Sequence, residues 1–261
     1  MAAEKLAPLI VIVGQTASGK SDLGMFLAQK FNGEIICADS RTIYKGMDIG
    51  TAKPNKQDQA KIKHYLLDII KPNQRYTVAR FKSDAQKAIE EAHNRGKLPI
   101  LIGGSGLYIN SVIFDYKFSD SCIPQDTINP RHKSKEATSI KNQLRANTLV
   151  FGLSPDKNIL KKRIEERTNK MIQRGLINET RKLIEVYGSS LEAYKGSAYF
   201  RAIKYINGDI NKQELIQEII DSDLKLSKKQ KTWFKRNQDI KWIQDRNEAQ
   251  QIIVDWITQT L

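Results

Sequence analysis

Residues Gly14, Gln15, Thr16, Ala17, Ser18, Gly19, Lys20 and Ser21 match G-x-x-x-x-G-K-[ST] and directly follow an apolar run over 9–13. A strand before and a helix after is the context in which this motif cradles phosphates. Gly14 and Gly19 let the backbone curl, so that N–H groups of Thr16, Ala17 and Ser18 converge on phosphate oxygens at the positive end of the next helix. Lys20 supplies a mobile cation and Ser21 a hydroxyl for Mg²⁺. A chance match in a chain this long is on the order of one per cent, so a turn that binds nothing is set aside in favour of a diphosphate or triphosphate site. A second group with chemistry to offer is Asp39, at the end of the next apolar run (34–38). A carboxylate leaving a strand beside a P-loop strand could hold Mg²⁺ through water or act as a base; the bland alternative is a turn cap.

The elements that must position these groups alternate. Strands are expected over 9–13, 34–38 and 99–102, a short one over 65–69, and helices over 20–31 and 77–95, the latter stopping at Gly96. This β-α-β-α order gathers loops at strand C-termini, where open parallel sheets bind ligands. Residues 120–147 are polar, carry Pro124 and Pro130, and read as a loop-rich insertion with at most one short helix. A strand returns over 148–152, and from Asp156 to about Asn237 the chain is almost wholly helical. Trp242 falls in a short strand and a last helix covers 248–260. The expected organisation is a P-loop α/β core over 1–119, the insertion over 120–147, and a mostly helical continuation of the core over 148–261.

A length of 261 residues with 40% hydrophobic and 28% charged side chains suits a globular chain, whereas a net charge of +14 favours polyanionic partners. Cys37 and Cys122 are far apart and in no metal spacing, so disulfides and zinc are not expected. The apolar run over 6–13 contains Pro8, is too short to span a bilayer and leads into the P-loop, so a cytoplasmic protein with no membrane association is expected. Positive charge also clusters late: Lys225, Lys228, Lys229, Lys231, Lys235 and Arg236 surround Trp233 and Phe234 with no acid among them. Basic residues beside aromatics suit phosphate contact and base stacking, although Trp233 alone could equally be a core residue. His64, His93 and His132 form no triad or metal pattern; His93 is expected to be solvated, and Gly46 and Gly50 to serve turns.

The block from Asp39 to Pro54 is similar to D-S-x-x-[IV]-Y-[KR]-x-M-D-I-G-T-A-K-P. With the P-loop, His64, the turn Gly103-Gly104-Ser105-Gly106-Leu107-Tyr108, and Lys228-Lys229-Gln230-Lys231-Thr232-Trp233-Phe234-Lys235, it resembles the tRNA dimethylallyltransferase (tRNA isopentenyltransferase) family. The resemblance covers most of 9–114 and resumes over 148–243. It implies a P-loop NTPase-like parallel sheet with flanking helices. It also implies transfer of a dimethylallyl group from dimethylallyl diphosphate to the exocyclic amine of the adenosine 3′ of the anticodon, with Mg²⁺ as cofactor and the allylic diphosphate, not ATP, on the P-loop. By the same resemblance Asp39 takes the amine proton and Ser105 stands where the family usually has Thr. Arg167, which shares a helix face with Arg163 and Arg174 while Ile164 and Met171 pack elsewhere, reaches the diphosphate. The tRNA anticodon loop is expected on Asp39, Ser40, Arg41 and Thr42 and on the late basic segment, with the chain acting as a monomer.

Two features depart from the pattern. Residues 120–147 are shorter than the family's helical insertion, with only Asn129-Pro130-Arg131 faintly similar. Tyr199 matches the Tyr of the family's G-Y-K-E turn while Ala198 and Phe200-Arg201 differ from it, and no role is assigned to Tyr199; His64 is given a structural one. Rival readings are an adenylate isopentenyltransferase using a free nucleotide, a P-loop small-molecule kinase, and a non-catalytic RNA-binding protein. The basic aromatic segment speaks against the first, the 39–54 block and the lack of an Arg-rich lid against the second, and intact Asp39, Ser105 and P-loop against the third.

Overall fold

The computed structural model describes residues 6–118, 137–139 and 143–260. Strand β1 (Leu9–Gly14) is fully buried along its length, as a run apolar at every position requires of a strand covered on both faces. It pairs in parallel with β4 (Leu98–Gly103) on one side and β7 (Thr148–Leu153) on the other. β4 continues to β2 (Gly33–Cys37) and β3 (His64–Tyr65), and β7 to β8 (Ile240–Trp242), giving a six-stranded sheet in the order β3-β2-β4-β1-β7-β8. The strand expected over 65–69 is shorter than its apolar run, because Leu66 and Asp68 take left-handed backbone angles, φ 61° and 54°, and turn the chain away.

One face of the sheet is covered by α1 (Lys20–Lys30) and α9 (Arg246–Thr260), with Leu23, Leu27, Ala249 and Ile253 in the same core as Ile10, Ile12 and Phe151. The other carries α3 (Val78–Asn94) and α4 (Gly106–Ile113), with Phe81, Ile89 and Ile109 packed on Val11, Ile36 and Leu101. Thr77 caps α3, accepting from the Arg80 N–H at 3.2 Å, and Gly96 (φ +67°) ends its exit. A short α2 (Lys56–Lys61) precedes β3.

Beyond β7 the chain forms α5 (Lys157–Gln173), α6 (Leu176–Tyr187), a 3-10 turn (Glu192–Tyr194), α7 (Ala198–Ile206) and α8 (Lys212–Phe234). Asn211 and Glu214 make a reciprocal capping box at the start of α8. The α6–α7 unit has its own core of Leu176, Leu183, Tyr194, Tyr199 and Leu215, into which Met47 from the loop after β2 inserts. The helical continuation is therefore packed on the core: α8 also contributes Phe234 to the core under the sheet.

A two-residue strand β5 (Lys117–Phe118) pairs antiparallel with β6 (Ala137–Ser139). The expected insertion, with its short helix and Asn129-Pro130-Arg131, lies largely outside the described residues, as do Cys122 and His132. Among the described residues no helix is long and apolar enough to cross a membrane.

Candidate active site

The C-terminal ends of β1, β2 and β4 open into one cavity of about 1210 Å³. Thr16, Lys20, Asp39, Ser105 and Arg167 all line it. The sheet order explains the convergence: β4 lies between β1 and β2, so the loops after three adjacent strands meet at one edge.

The P-loop needs its glycines. A Cβ on Gly14 (φ +150°) would stand 2.5 Å from the Leu153 carbonyl oxygen, and Gly19 has φ +98°. The loop is pinned from outside by side chains. Gln15 donates to Ser227 Oγ at 2.6 Å, and the Thr16 N–H donates to Gln230 Oε1 at 2.7 Å, while Gln230 Nε2 donates to the Gly104 carbonyl at 3.0 Å. Arg163 donates to the Ser18 carbonyl at 3.2 Å and Arg167 to Thr16 Oγ1. Ser18 Oγ and Arg167 Nε are buried without a hydrogen-bond partner, unsatisfied groups that an anion in the loop would meet. Lys20 Nζ rests on the Gln15 carbonyl at 2.5 Å. Burial lowers the Lys20 pKa to about 8, against the raising influence of Asp39, and Arg167 lowers it further. Burial thus outweighs the attraction of Asp39 for this cation, and a bound diphosphate would favour its charged form.

On the acceptor side, Asp39 Oδ1 accepts from the Arg41 N–H at 2.8 Å. Ser105 Oγ accepts from the Ser40 N–H at 3.0 Å, tying the turn after β4 to the turn after β2. Gly103 allows this approach, since a Cβ there would lie 2.0 Å from the Ala38 carbonyl oxygen. His64 lines the cavity with Nδ1 2.8 Å from the Ile62 carbonyl and its pKa lowered by burial, which agrees with a structural role; His93 is exposed. Arg163, Arg167 and, at the C-cap of α5, Arg174 line the cavity; Ile164 and Met171 are buried, and Met171 lines the cavity as well.

Several residues expected to touch RNA are committed elsewhere. Phe234 is 2% exposed and packs in the core, so it has no face to offer a base. Gln230 has its amide oxygen and nitrogen engaged by Thr16 and Gly104. The Arg41 guanidinium donates to the Ala193 carbonyl at 2.9 Å and to that of Lys195 at 2.6 Å, and Thr42 is buried with Oγ1 3.5 Å from the Asp39 carbonyl. Trp233 is 37% exposed, its indole laid on Gly106, where a Cβ would come within 2.3 Å of the ring. With Lys225, Lys228, Lys229, Thr232 and Arg236 it lines a depression of about 420 Å³ adjoining the main cavity, which Trp233 and Lys229 line as well. Lys235 is exposed and Lys231 half-buried.

Sequence reasoning missed Glu179, whose carboxylate accepts from the N–H groups of Asp48, Ile49 and Gly50, and left Tyr199 without a role although its hydroxyl meets both Glu179 and Gly50. Glu179 lies in no local motif; the signals were Tyr199 itself, at the Tyr of the family's G-Y-K-E turn, and Gly50, where a Cβ would stand 2.6 Å from the Tyr199 ring.

A parallel sheet ending in a P-loop, with a carboxylate and a hydroxyl facing the phosphate cradle across one cavity, defines a P-loop NTPase-like enzyme built for group transfer from a phosphorylated donor. The family model described as IPP transferase matches residues 42–145 and 126–237. The tRNA dimethylallyltransferase of Carboxydothermus hydrogenoformans is 35% identical over 297 residues, covering 95% of this chain and 96% of the relative; that of Pelotomaculum thermopropionicum is 33% identical over 94% and 93%. Among solved structures, the tRNA delta(2)-isopentenylpyrophosphate transferase of Staphylococcus epidermidis superposes with a TM-score of 0.82 at 29% identity, covering 97% of this chain and 100% of that one. A full-length tRNA isopentenylpyrophosphate transferase from Bacillus halodurans gives 0.81 at 28%, covering 97% and 96%. The chain belongs to the IPP transferase family of tRNA dimethylallyltransferases, and it is a prenyltransferase.

Proposed function

We propose that the chain transfers the dimethylallyl group of dimethylallyl diphosphate to the exocyclic amine of the adenosine 3′ of a tRNA anticodon. The observation that supports this most is the single cavity shared by the P-loop, Arg167, Asp39 and Ser105. An adenine amine is a weak nucleophile, so its attack on the allylic carbon needs a leaving group that departs easily and a base on the amine. As the carbon–oxygen bond breaks, charge develops on the diphosphate. The P-loop N–H groups, Lys20 and Arg167 are disposed to stabilise it. The amine proton passes to Asp39, with Ser105 holding the Ser40 end of that turn.

Mg²⁺ fits the same cradle. Ser21, in the first turn of α1, and the unpartnered Ser18 Oγ both line the cavity, and an ion that keeps several waters needs little more from the protein beside a diphosphate. Ser21 would hold it, and it would supply charge neutralisation on the departing diphosphate. The target base has to leave its stack to reach Asp39, and Lys228, Lys229 and Lys231 with Trp233 offer phosphate contact and stacking beside the cavity. The same reading places the protein in the cytoplasm as a monomer. Incubating the chain with an anticodon stem-loop RNA, dimethylallyl diphosphate and Mg²⁺, then analysing nucleosides by mass, tests it. A dimethylallyl adenosine at that position is expected. Unchanged RNA, or phosphoryl transfer from ATP, would overturn the reading.

A further inference from the structure

The loop that begins at Asp39 is held on one side by the segment after β3, through a Tyr44–Ile70 bridge and the Lys53–Asp68 ion pair, and on the other by two polar anchors on the α6–α7 unit. At its far end, the Glu179 carboxylate accepts from Asp48 N–H at 3.2 Å, Ile49 N–H at 2.9 and 3.0 Å, and Gly50 N–H at 3.2 Å. Tyr199, 0% exposed, donates to Glu179 Oε1 at 2.5 Å and accepts from Gly50 N–H at 3.1 Å. Burial, reinforced by the adjacent Glu179 charge, pushes the Tyr199 phenol well above its ordinary range. At its near end, Arg41 joins the unit directly to the reacting carboxylate. Its backbone N–H holds Asp39 Oδ1, and its guanidinium reaches the carbonyls of Ala193 and Lys195. Tyr194, between these anchors, is buried beside Tyr199 with ring centroids 6.1 Å apart and donates to the Leu183 carbonyl at 3.3 Å. Met47 fills the same core from the loop side.

Asp48 is exposed but Ile49 is half-buried and Gly50 buried, so the Glu179 carboxylate gathers three consecutive N–H groups of which water can reach only the first freely. We propose that Glu179 and Arg41 are positioning residues for Asp39, with the α6–α7 unit as the rigid frame against which the base is set. This rests on the function proposed above. A carboxylate suits this role and an amide does not. Glutamine would offer one acceptor oxygen and turn an NH₂ toward N–H groups. A base displaced by about 1 Å costs on the order of a hundredfold in rate, so the frame acts on chemistry while leaving the P-loop, on β1 and α1, alone.

The experiment is a double-mutant cycle in single-turnover transfer to an anticodon stem-loop RNA, with Glu179→Gln and Asp39→Ala alone and together, and donor affinity measured in parallel. Glu179→Gln is expected to slow transfer roughly 10–100-fold with donor affinity within about twofold, and to add almost nothing once Asp39 is alanine, since a residue acting only through Asp39 has no effect in its absence. Tyr199→Phe, which removes a single hydroxyl, keeps the test valid if Glu179→Gln folds poorly, and should show the same dependence on Asp39 with a smaller loss. Equal losses in both backgrounds, or a parallel fall in donor affinity, would overturn the positioning role. A wild-type chain that transfers no allyl group overturns the function itself, which is a separate result.

Discussion

Lys20 is a cation whose burial outweighs the attraction of Asp39, and that balance has a measurable size. Its pKa of about 8 against an ordinary 10.5 corresponds to ~3 kcal/mol favouring the neutral amine. In the empty protein below pH 8 both folded and unfolded chains carry the proton, and the fold bears the full cost of burying it. Between pH 8 and 10.5 the folded chain sheds the proton first, so this residue's contribution makes the fold more stable as pH rises through that window. A diphosphate in the loop reverses the balance by favouring the ammonium, so donor binding should take up a proton. Calorimetry of dimethylallyl diphosphate binding, without RNA, in two buffers of different ionisation enthalpy should give an uptake of about half a proton at pH 8 and about nine-tenths at pH 9. Affinity should fall about tenfold per pH unit above 8. Lys20→Arg, which stays charged throughout, should lose the uptake. No uptake at pH 9 in the wild type, or the same uptake in Lys20→Arg, would refute the claim that the loop lysine is discharged by burial and recharged by its ligand.

Gln230→Leu should raise the donor concentration needed for half-maximal rate and leave RNA affinity unchanged, because its amide bridges Thr16 and Gly104 inside the cradle; steady-state kinetics with each substrate varied checks this. Replacing Lys228, Lys229 and Lys231 together by Ala should flatten the log–log dependence of RNA affinity on salt by about 2, at roughly 0.7–0.9 per lost phosphate contact, as binding titrations across a salt series would show. Phe234→Ala should destabilise the fold by roughly 3–5 kcal/mol in denaturant unfolding, with no change in that salt slope, because the ring is in the core.

The donor half of the site was legible because its physics is local. A P-loop takes its N–H groups, lysine and hydroxyl from eight contiguous residues, and strand β1 announces itself as an unbroken apolar run. Asp39 was legible through its strand end and Ser105 only through the resemblance of its turn, and topology places the two turns side by side. The misreadings over 228–235 have one cause: composition reports a basic aromatic segment, but a helix sorts such a segment by angle. Phe234 and Gln230 point inward, Lys228 is exposed, and Lys229 and Trp233 lie on the rim shared by the main cavity and the outer depression. Glu179 and Tyr199 escaped because their partners are backbone N–H groups 130 and 149 residues away in sequence, and a backbone donor leaves no side-chain type to search for. β3 fell short of its apolar run because Leu66, a residue type that rarely does so, takes a left-handed angle, as does Asp68, for which that angle is more ordinary.

That angular sorting gives α8 its place in the mechanism. Ser227, Gln230 and Phe234 recur every three to four residues, the spacing of one helix face, and each is anchored inward: Ser227 to Gln15, Gln230 to Thr16 and Gly104, Phe234 in the core. Lys225, Lys228, Lys229, Thr232 and Arg236 occupy the rest of the circumference and line the outer depression with Trp233. The helix therefore has one wall in the donor cradle and the other facing outward as a cationic surface. A phosphate backbone gripped on the outer wall is automatically held in fixed register to the P-loop on the inner one, with no hinge between them. The Trp233 indole resting on Gly106 extends that register to the turn carrying Ser105, and Ser105 in turn fixes Ser40 beside Asp39. A side chain at position 106 would push the indole off the turn, so glycine there is needed for close approach and not for a special backbone angle. The P-loop, the turns carrying Ser105 and Asp39, and the basic surface are thus set against one another by contacts of a single helix.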